Sequence, residues 1–313
     1  MPEDTKALDQ DCINNEAYIE QSDFIFNERQ KMLNFEMKKF SSGLLFVYFS
    51  TTDLVSHMFW RYMDKEHPGY KPEEGEKYSN VIKRTYKKMD TLLGDVMKRI
   101  DSNTTLIVLS DHGFGSFRRQ FHMNRWLKEN GYLSFADESL EESGEFFENV
   151  DFRKTRAYAF GFNGIYINLI GREGSGIVTP GEEKEQLIDN IIKELENIRD
   201  PENNKKVVNK VYRREEIYSG KYVADAPDIL IGYNRGYRSS WETALGKVPK
   251  GLYGNNMKRW SGTHLWDYKL VPGIVLSNKK IIKKDPALTD IAPTILAEFG
   301  IEKSNAMIGE PIF

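Results

Sequence analysis

The sequence predicts an α/β protein built on a mostly parallel sheet flanked by helices. Three observations carry this. Leu44 to Phe49 and Thr104 to Ser110 are short, nearly unbroken apolar runs of strand length, the pattern of strands buried on both faces. Between them, Tyr78 to Ile100 is amphipathic through Val81, Ile82, Met89, Leu92, Leu93, Val96 and Ile100, which suits a crossover helix. Downstream, strand-like and helix-like segments keep alternating.

The elements follow in order. Glu28 to Phe40 places Met32, Phe35, Met37 and Phe40 near a helical period. The first strand, Leu44 to Phe49, is followed by Thr51, Thr52 and Asp53, all good capping residues for a short helix. The second strand ends in Asp111-His112-Gly113. Asn124 to Asn130, stopped by Gly131, reads as a short helix. Residues 134–155 are acidic and irregular, as in an exposed loop. Ala157 to Phe160 and Gly164 to Leu169 alternate like strands, and Pro180 opens a helix running to about Arg199. Val207 to Tyr212 and Pro227 to Gly232 are further strands. Residues 233–262, with many Gly, Arg, Trp and Tyr, suit an ordered loop beside a site. Gly273 to Leu276 is a last strand and Asp290 to Phe299 a last helix. The chain reads as one domain over residues 1–313, with loop or cap insertions at about 134–155 and 233–262.

Composition narrows the function classes. Lys plus Arg number 44 against 47 for Asp plus Glu, a net charge of −3, which gives no support to a binder of nucleic-acid polymers. A small anionic substrate stays compatible, since metal ions supply positive charge locally. Cys12 is the one cysteine, so no internal disulfide forms and a reducing compartment is the simplest. The N-terminal segment is polar, and no apolar run approaches the roughly 20 residues a membrane helix needs. The expectation is a soluble, cytoplasmic protein without a membrane partner.

Two of the apolar strands end in an Asp and a His. Asp53 and His57 lie four residues apart, so on a helix they share a face. Asp111 and His112 follow the second strand directly, and His264 sits in Ser261-Gly262-Thr263-His264. Ligands of open α/β sheets bind at the carboxyl ends of strands, where both pairs fall. A lone Asp after a strand is usually a helix cap and a lone His usually structural. Three of only five histidines in such settings are harder to assign to chance. Mixed carboxylate and imidazole ligands suit Zn²⁺ or Mn²⁺. Two such ions about 4 Å apart can polarise a phosphoryl oxygen and stabilise a leaving oxygen.

This ordered set, Asp53-x-x-x-His57, then Asp111-His112-Gly113, then Gly262-x-His264, resembles the alkaline-phosphatase superfamily. The similarity is nearest to its type I phosphodiesterase and nucleotide pyrophosphatase branch and to the cofactor-independent phosphoglycerate mutases. Stretches such as LLFVYFSTTDLVSHMFWRYMD and TTLIVLSDHGFGSFRRQFHMNRWLKENGYL are similar to a predicted phosphohydrolase/phosphomutase group. The resemblance implies an alkaline-phosphatase-like fold and a metal-dependent hydrolase of phosphate mono- or diesters, nucleotide-type esters among them. It assigns Asp53, His57 and His264 to one metal site, and Asp111 and His112 to a second. In the family the second site also uses an upstream Asp and a Ser or Thr nucleophile. The 52 residues before Asp53 hold no buried strand ending in such a residue. The expectation is therefore a C-terminal part of a longer family member, weakly active or inactive alone, with no catalytic nucleophile of its own. Thr51, Thr52 and Ser110 abut the ligands but read as capping or loop residues.

Around this set, Arg118 and Arg119 could grip a phosphate bidentately, although a solvated loop pair is the commoner reading. His122 and the polar-aromatic residues Asn234, Arg235, Tyr237, Arg238, Trp241 and Glu242 are candidates to shape a pocket for a small phosphorylated substrate. Loop packing explains such a stretch equally well. Asp267 could accept the second N–H of a ligand histidine. Two alternatives stand beside the hydrolase. One is a phosphomutase, and the other a non-catalytic metal-binding or scaffold domain. A sheet lacking its first part exposes apolar edges, so a homo-oligomer is expected.

Overall fold

The computed structural model describes residues 3–313. Ten strands form among them: β1 (Ile107–Leu109), β2 (Gly115–Phe121), β3 (Ala157–Ala159), β4 (Gly164–Ile167), β5 (Val208–Arg213), β6 (Ile229–Tyr233), β7 (Gly236–Ser239), β8 (Tyr253–Asn255), β9 (Gly262–Thr263) and β10 (Val275–Ser277). The chain divides into two compact units, Met1–Tyr86 with Phe114–Leu270, and Lys87–Gly113 with Val271–Phe313.

In the first unit, the helices Thr5–Asp9 and Asn15–Lys39 begin on side chains of the preferred type. Asp4 accepts the Ala7 N–H and Asn14 the Ala17 N–H. They pack on the helix Thr51–Phe59 through a core of Leu8, Tyr18, Val55, Met58, Phe59 and Tyr62. Four strands form an antiparallel sheet in the order β3-β4-β6-β5, with Ile165 opposite Ile229. The other strands gather on β2, which pairs with β7, β8 and β9. The helix Glu182–Leu195 buries Leu187, Ile188, Ile191 and Leu195.

The second unit is smaller. β1 pairs antiparallel with β10, Val108 opposite Leu276, and the helix Ile291–Glu298 follows. Buried Asp290 precedes this helix and accepts the Ala287 and Glu310 N–H groups. The expected helix in 78–100 forms as Val81–Met97.

The α/β class holds, but the mostly parallel arrangement does not. Among the named strand pairs only β2–β7 is parallel. Parallel neighbours need a crossover of a dozen or more residues. β3 and β4, by contrast, are joined by the turn 160–163. The apolar run 44–49 is also not a strand, and Leu44, Phe46 and Tyr48 are exposed. A strand exists through its ladder to a neighbour, and no described strand pairs with this run. Residues 233–262 are more regular than their composition suggests, since they contain β7, β8 and the one-turn helix Trp241–Ala244. Among the described residues no helix is long and apolar enough to cross a membrane.

Candidate metal centre

The helix Thr51–Phe59 sets the first group of candidate ligands. Asp53 lies in its first turn, where the helix dipole favours a carboxylate, and His57 follows one turn later. The spacing does what the sequence implies, placing His57 Nε2 3.6 Å from Asp53 Oδ1. His264 follows β9 and joins them. Its ring centroid is 5.3 Å from that of His57, and Asp53 and His264 offer ligand atoms within 4.8 Å of one another. Within the first unit, His57 and His264 thus each approach Asp53.

Backbone geometry fixes the His57 tautomer. Nδ1 lies 2.8 Å from the Gly262 carbonyl oxygen, which can only accept, so Nδ1 carries the proton. In the neutral ring Nε2 then holds a lone pair, and that lone pair faces a carboxylate oxygen. A carboxylate oxygen and an imidazole nitrogen at this separation are a donor set that fits a divalent ion.

Residues not singled out from the sequence complete the surroundings. Trp260 stacks on His57, and Phe114 meets it edge-on at 4.6 Å between centroids. Ser261 clamps the helix end, donating its N–H to the His57 carbonyl at 2.8 Å and accepting the Arg61 N–H at 3.0 Å. The signal for Trp260 and Ser261 was their place directly before Gly262-Thr263-His264. Nothing in the sequence marked Phe114 apart from its adjacency to Gly113. The Asp53 charge is felt by Tyr86, whose phenol is held above its ordinary range first by burial and then by Asp53.

The second unit repeats the arrangement. β1 leads into Asp111 and His112, and the exit is held by Ser110 N–H to Ile274 oxygen at 3.0 Å and Gly113 N–H to Val271 oxygen at 2.8 Å. His112 Nδ1 donates to the Gly113 carbonyl at 2.9 Å, and Nε2 stands 3.5 Å from Asp111 Oδ2. Asp111 is exposed. Ser110 Oγ accepts the Ile274 N–H, and the Thr51 hydroxyl donates to Glu3 at 2.6 Å.

The candidate substrate residues separate by surroundings. Arg118 binds Asp64 with two hydrogen bonds, at 2.6 and 2.7 Å, and also pairs with Glu66. Arg119 is buried against fully buried Asp200 and pairs with Glu202 at 2.6 Å. With Arg235 they line a cavity of about 250 Å³, but the carboxylates already present neutralise two of its three guanidiniums. Asn234 builds the turn between β6 and β7, accepting the Arg235 N–H and donating to the Lys206 carbonyl. His122 is buried, its Nδ1 has no partner, and burial lowers its pKa against the pull of Glu242. Arg238 is fully buried, and among the described residues its Nε–H has no acceptor. Asp267 accepts from Tyr212, Asn209 and the Lys269 N–H, so it ties β5 to the segment after His264.

A model of the type I phosphodiesterase / nucleotide pyrophosphatase family matches residues 13–262, well over half of the chain. The chain belongs to this family, a group of hydrolases of phosphodiester and pyrophosphate bonds. No curated protein matches. Among solved structures, human ectonucleotide pyrophosphatase/phosphodiesterase 5 is similar with a TM-score of 0.37 and 17% identity. The similarity covers 82% of this chain and 61% of that one, so the chain spans less than two thirds of that protein's length.

Proposed function

We propose that this chain carries the metal centre of a hydrolase acting on phosphate mono- or diesters, nucleotide-type esters included. In this reading Asp53, His57 and His264 hold one divalent ion, Zn²⁺ or Mn²⁺, and Asp111 and His112 belong to a second. The observation that carries it is the repeated geometry of the two histidines. Each donates Nδ1–H to a main-chain carbonyl and turns Nε2 toward an aspartate oxygen. Family membership supports phosphate esters as the substrate class. A bound ion would supply Lewis acidity toward a phosphoryl oxygen.

The chain's own residues do the rest. His57 is oriented by Gly262 and Trp260, so its lone pair needs little reordering to meet a cation. Trp260 and Phe114 shield one flank from water, which strengthens electrostatic contacts beside them. The hydroxyls of Thr51 and Ser110 are engaged in hydrogen bonds that fix the ends of their segments.

Calorimetric titration with Mn²⁺ tests the reading, comparing the chain with His57→Ala and His112→Ala. Each variant should bind at least about tenfold more weakly at its own site. Hydrolysis of bis(p-nitrophenyl) phosphate with and without chelator tests the chemistry. A folded wild-type chain that binds neither Mn²⁺ nor Zn²⁺ would overturn the proposal.

A further inference from the structure

Arg238 stands out among the cations of the first unit. It is 1% exposed, yet among the described residues no carboxylate pairs with it, and its Nε–H has no acceptor. Three aromatic rings enclose the guanidinium instead. Its Cζ lies 4.1 Å from the Trp241 ring centroid, 4.7 Å from Phe162 and 4.8 Å from Phe117. An isolated buried charge is costly, and aromatic faces compensate only part of the lost hydration. Burial accordingly lowers the Arg238 pKa to about 9. By contrast Arg119, on a neighbouring strand, is buried with Asp200 against it.

The surroundings point to an anion as the missing partner. The Trp241 indole N–H, part of the same enclosure, is a second buried donor without an acceptor. Lys258 approaches the Trp241 ring to 5.6 Å and has no ion pair among the described residues. It is exposed, while Trp241 is only partly so. A buried cation and a solvent-facing one thus both lie over the Trp241 ring. It also leads toward the metal centre, because Trp241 meets Trp260 edge-on at 6.2 Å and Trp260 stacks on His57.

We infer that Arg238, the Trp241 indole N–H and Lys258 form an anion subsite that receives a second phosphate or carboxylate of the substrate. The reading rests on the phosphate-ester function proposed above and narrows it. The favoured substrates are phosphate esters with an additional anionic group. Arginine is suited to this work, since its planar fork meets two oxygens of one oxyanion.

The test uses inorganic pyrophosphate as probe with the full chain in chelator, so that metal binding cannot contribute. Calorimetry should show metal-free binding. Arg238→Met should weaken it at least about tenfold, and Arg238→Lys should retain part of it. Mn²⁺ affinity of Arg238→Met should match wild type, which separates failure here from failure of the metal reading. If Arg238→Met does not fold, Lys258→Ala carries the test, with a loss of at least about threefold expected. No metal-free binding by the wild-type chain, or equal binding by every folded variant, would overturn the inference.

Discussion

The imidazole of His57 lies against the indole of Trp260, with ring centroids 3.8 Å apart and 28° between the planes. The stack fixes the ring plane, and the Nδ1 bond to Gly262 fixes its rotation within that plane. Together they aim Nε2 at Asp53. Trp260→Ala should therefore weaken Mn²⁺ binding by about tenfold, while Trp260→Phe keeps most of it. Titration calorimetry distinguishes the two. Unchanged affinity in a folded Trp260→Ala protein would show that the stack is packing alone.

Gly262 is required by space rather than by backbone conformation. A Cβ there would come 2.3 Å from the Ser56 carbonyl oxygen and 2.7 Å from the Phe114 ring. Gly262→Ala must push β9 away from the helix Thr51–Phe59, which lengthens the bond orienting His57. The expected cost is about 1–3 kcal/mol of stability. Chemical denaturation gives the stability, and a parallel loss of Mn²⁺ affinity is expected. A variant with wild-type values for both would contradict this account.

Two arginines adjacent in sequence should respond differently to loss of their acids. Asp200 is fully buried against Arg119, so Asp200→Ala leaves that buried cation only the exposed Glu202 as an acidic partner and should cost about 3–5 kcal/mol. Glu66 is exposed beside Arg118, and Glu66→Ala should cost less than about 1 kcal/mol. Urea unfolding of both variants checks the contrast, and equal effects would refute it.

His67 gives a pH dependence with a definite sign. Its Nε2–H donates to the Phe117 carbonyl at 2.9 Å, and Nδ1 accepts the Gly69 N–H at 3.0 Å. Burial, opposed by the Phe117 carbonyl and Asp64, lowers its pKa from 6.5 to about 4. In the unfolded chain the same imidazole protonates near its ordinary value. Between these limits the unfolded state binds more protons, so stability falls as pH falls from about 6.5 toward 4. The contribution is on the order of 3 kcal/mol. His67→Gln should remove this part of the slope. Identical wild-type and variant slopes over that window would rule it out.

We expect the exposed apolar run to promote self-association. Phe46 is 74% exposed and Tyr48 62%. The double variant Phe46→Ser, Tyr48→Ser should sediment as a smaller species than wild type at equal concentration. A wild-type chain that stays monomeric at high concentration would defeat the expectation.

The parts of the molecule legible in the sequence were those set by local pattern. The helices near 15–39, 81–97, 123–129 and 182–195 follow from apolar spacing and stop signals, which act within a few turns. The Asp53/His57 contact was legible because i and i+4 share a helix face. Strand direction was not, since it depends on which segments meet, and the run 44–49 shows that apolar content does not create a pairing partner. The sequence also marked Arg118, Arg119 and Arg238 alike as possible phosphate contacts. Their difference lies in partners 52 or more positions away for Arg118 and 81 or more for Arg119, which local reading does not reach.

The orientation of both candidate ligand histidines by main-chain carbonyls has a consequence for mutational robustness. Had side chains oriented them, a single substitution could delete the acceptor and let the imidazole choose the other tautomer. Here the acceptor belongs to the peptide bond, which every residue has. Drift in the surrounding sequence can reach the tautomer only by displacing the backbone. That burden falls on a few crowded positions, chiefly Gly262 and Gly113, where a Cβ would meet the Pro272 oxygen at 2.8 Å. The protonation pattern of the centre is inherited with the path of the chain, and it tolerates change in nearly everything the chain carries.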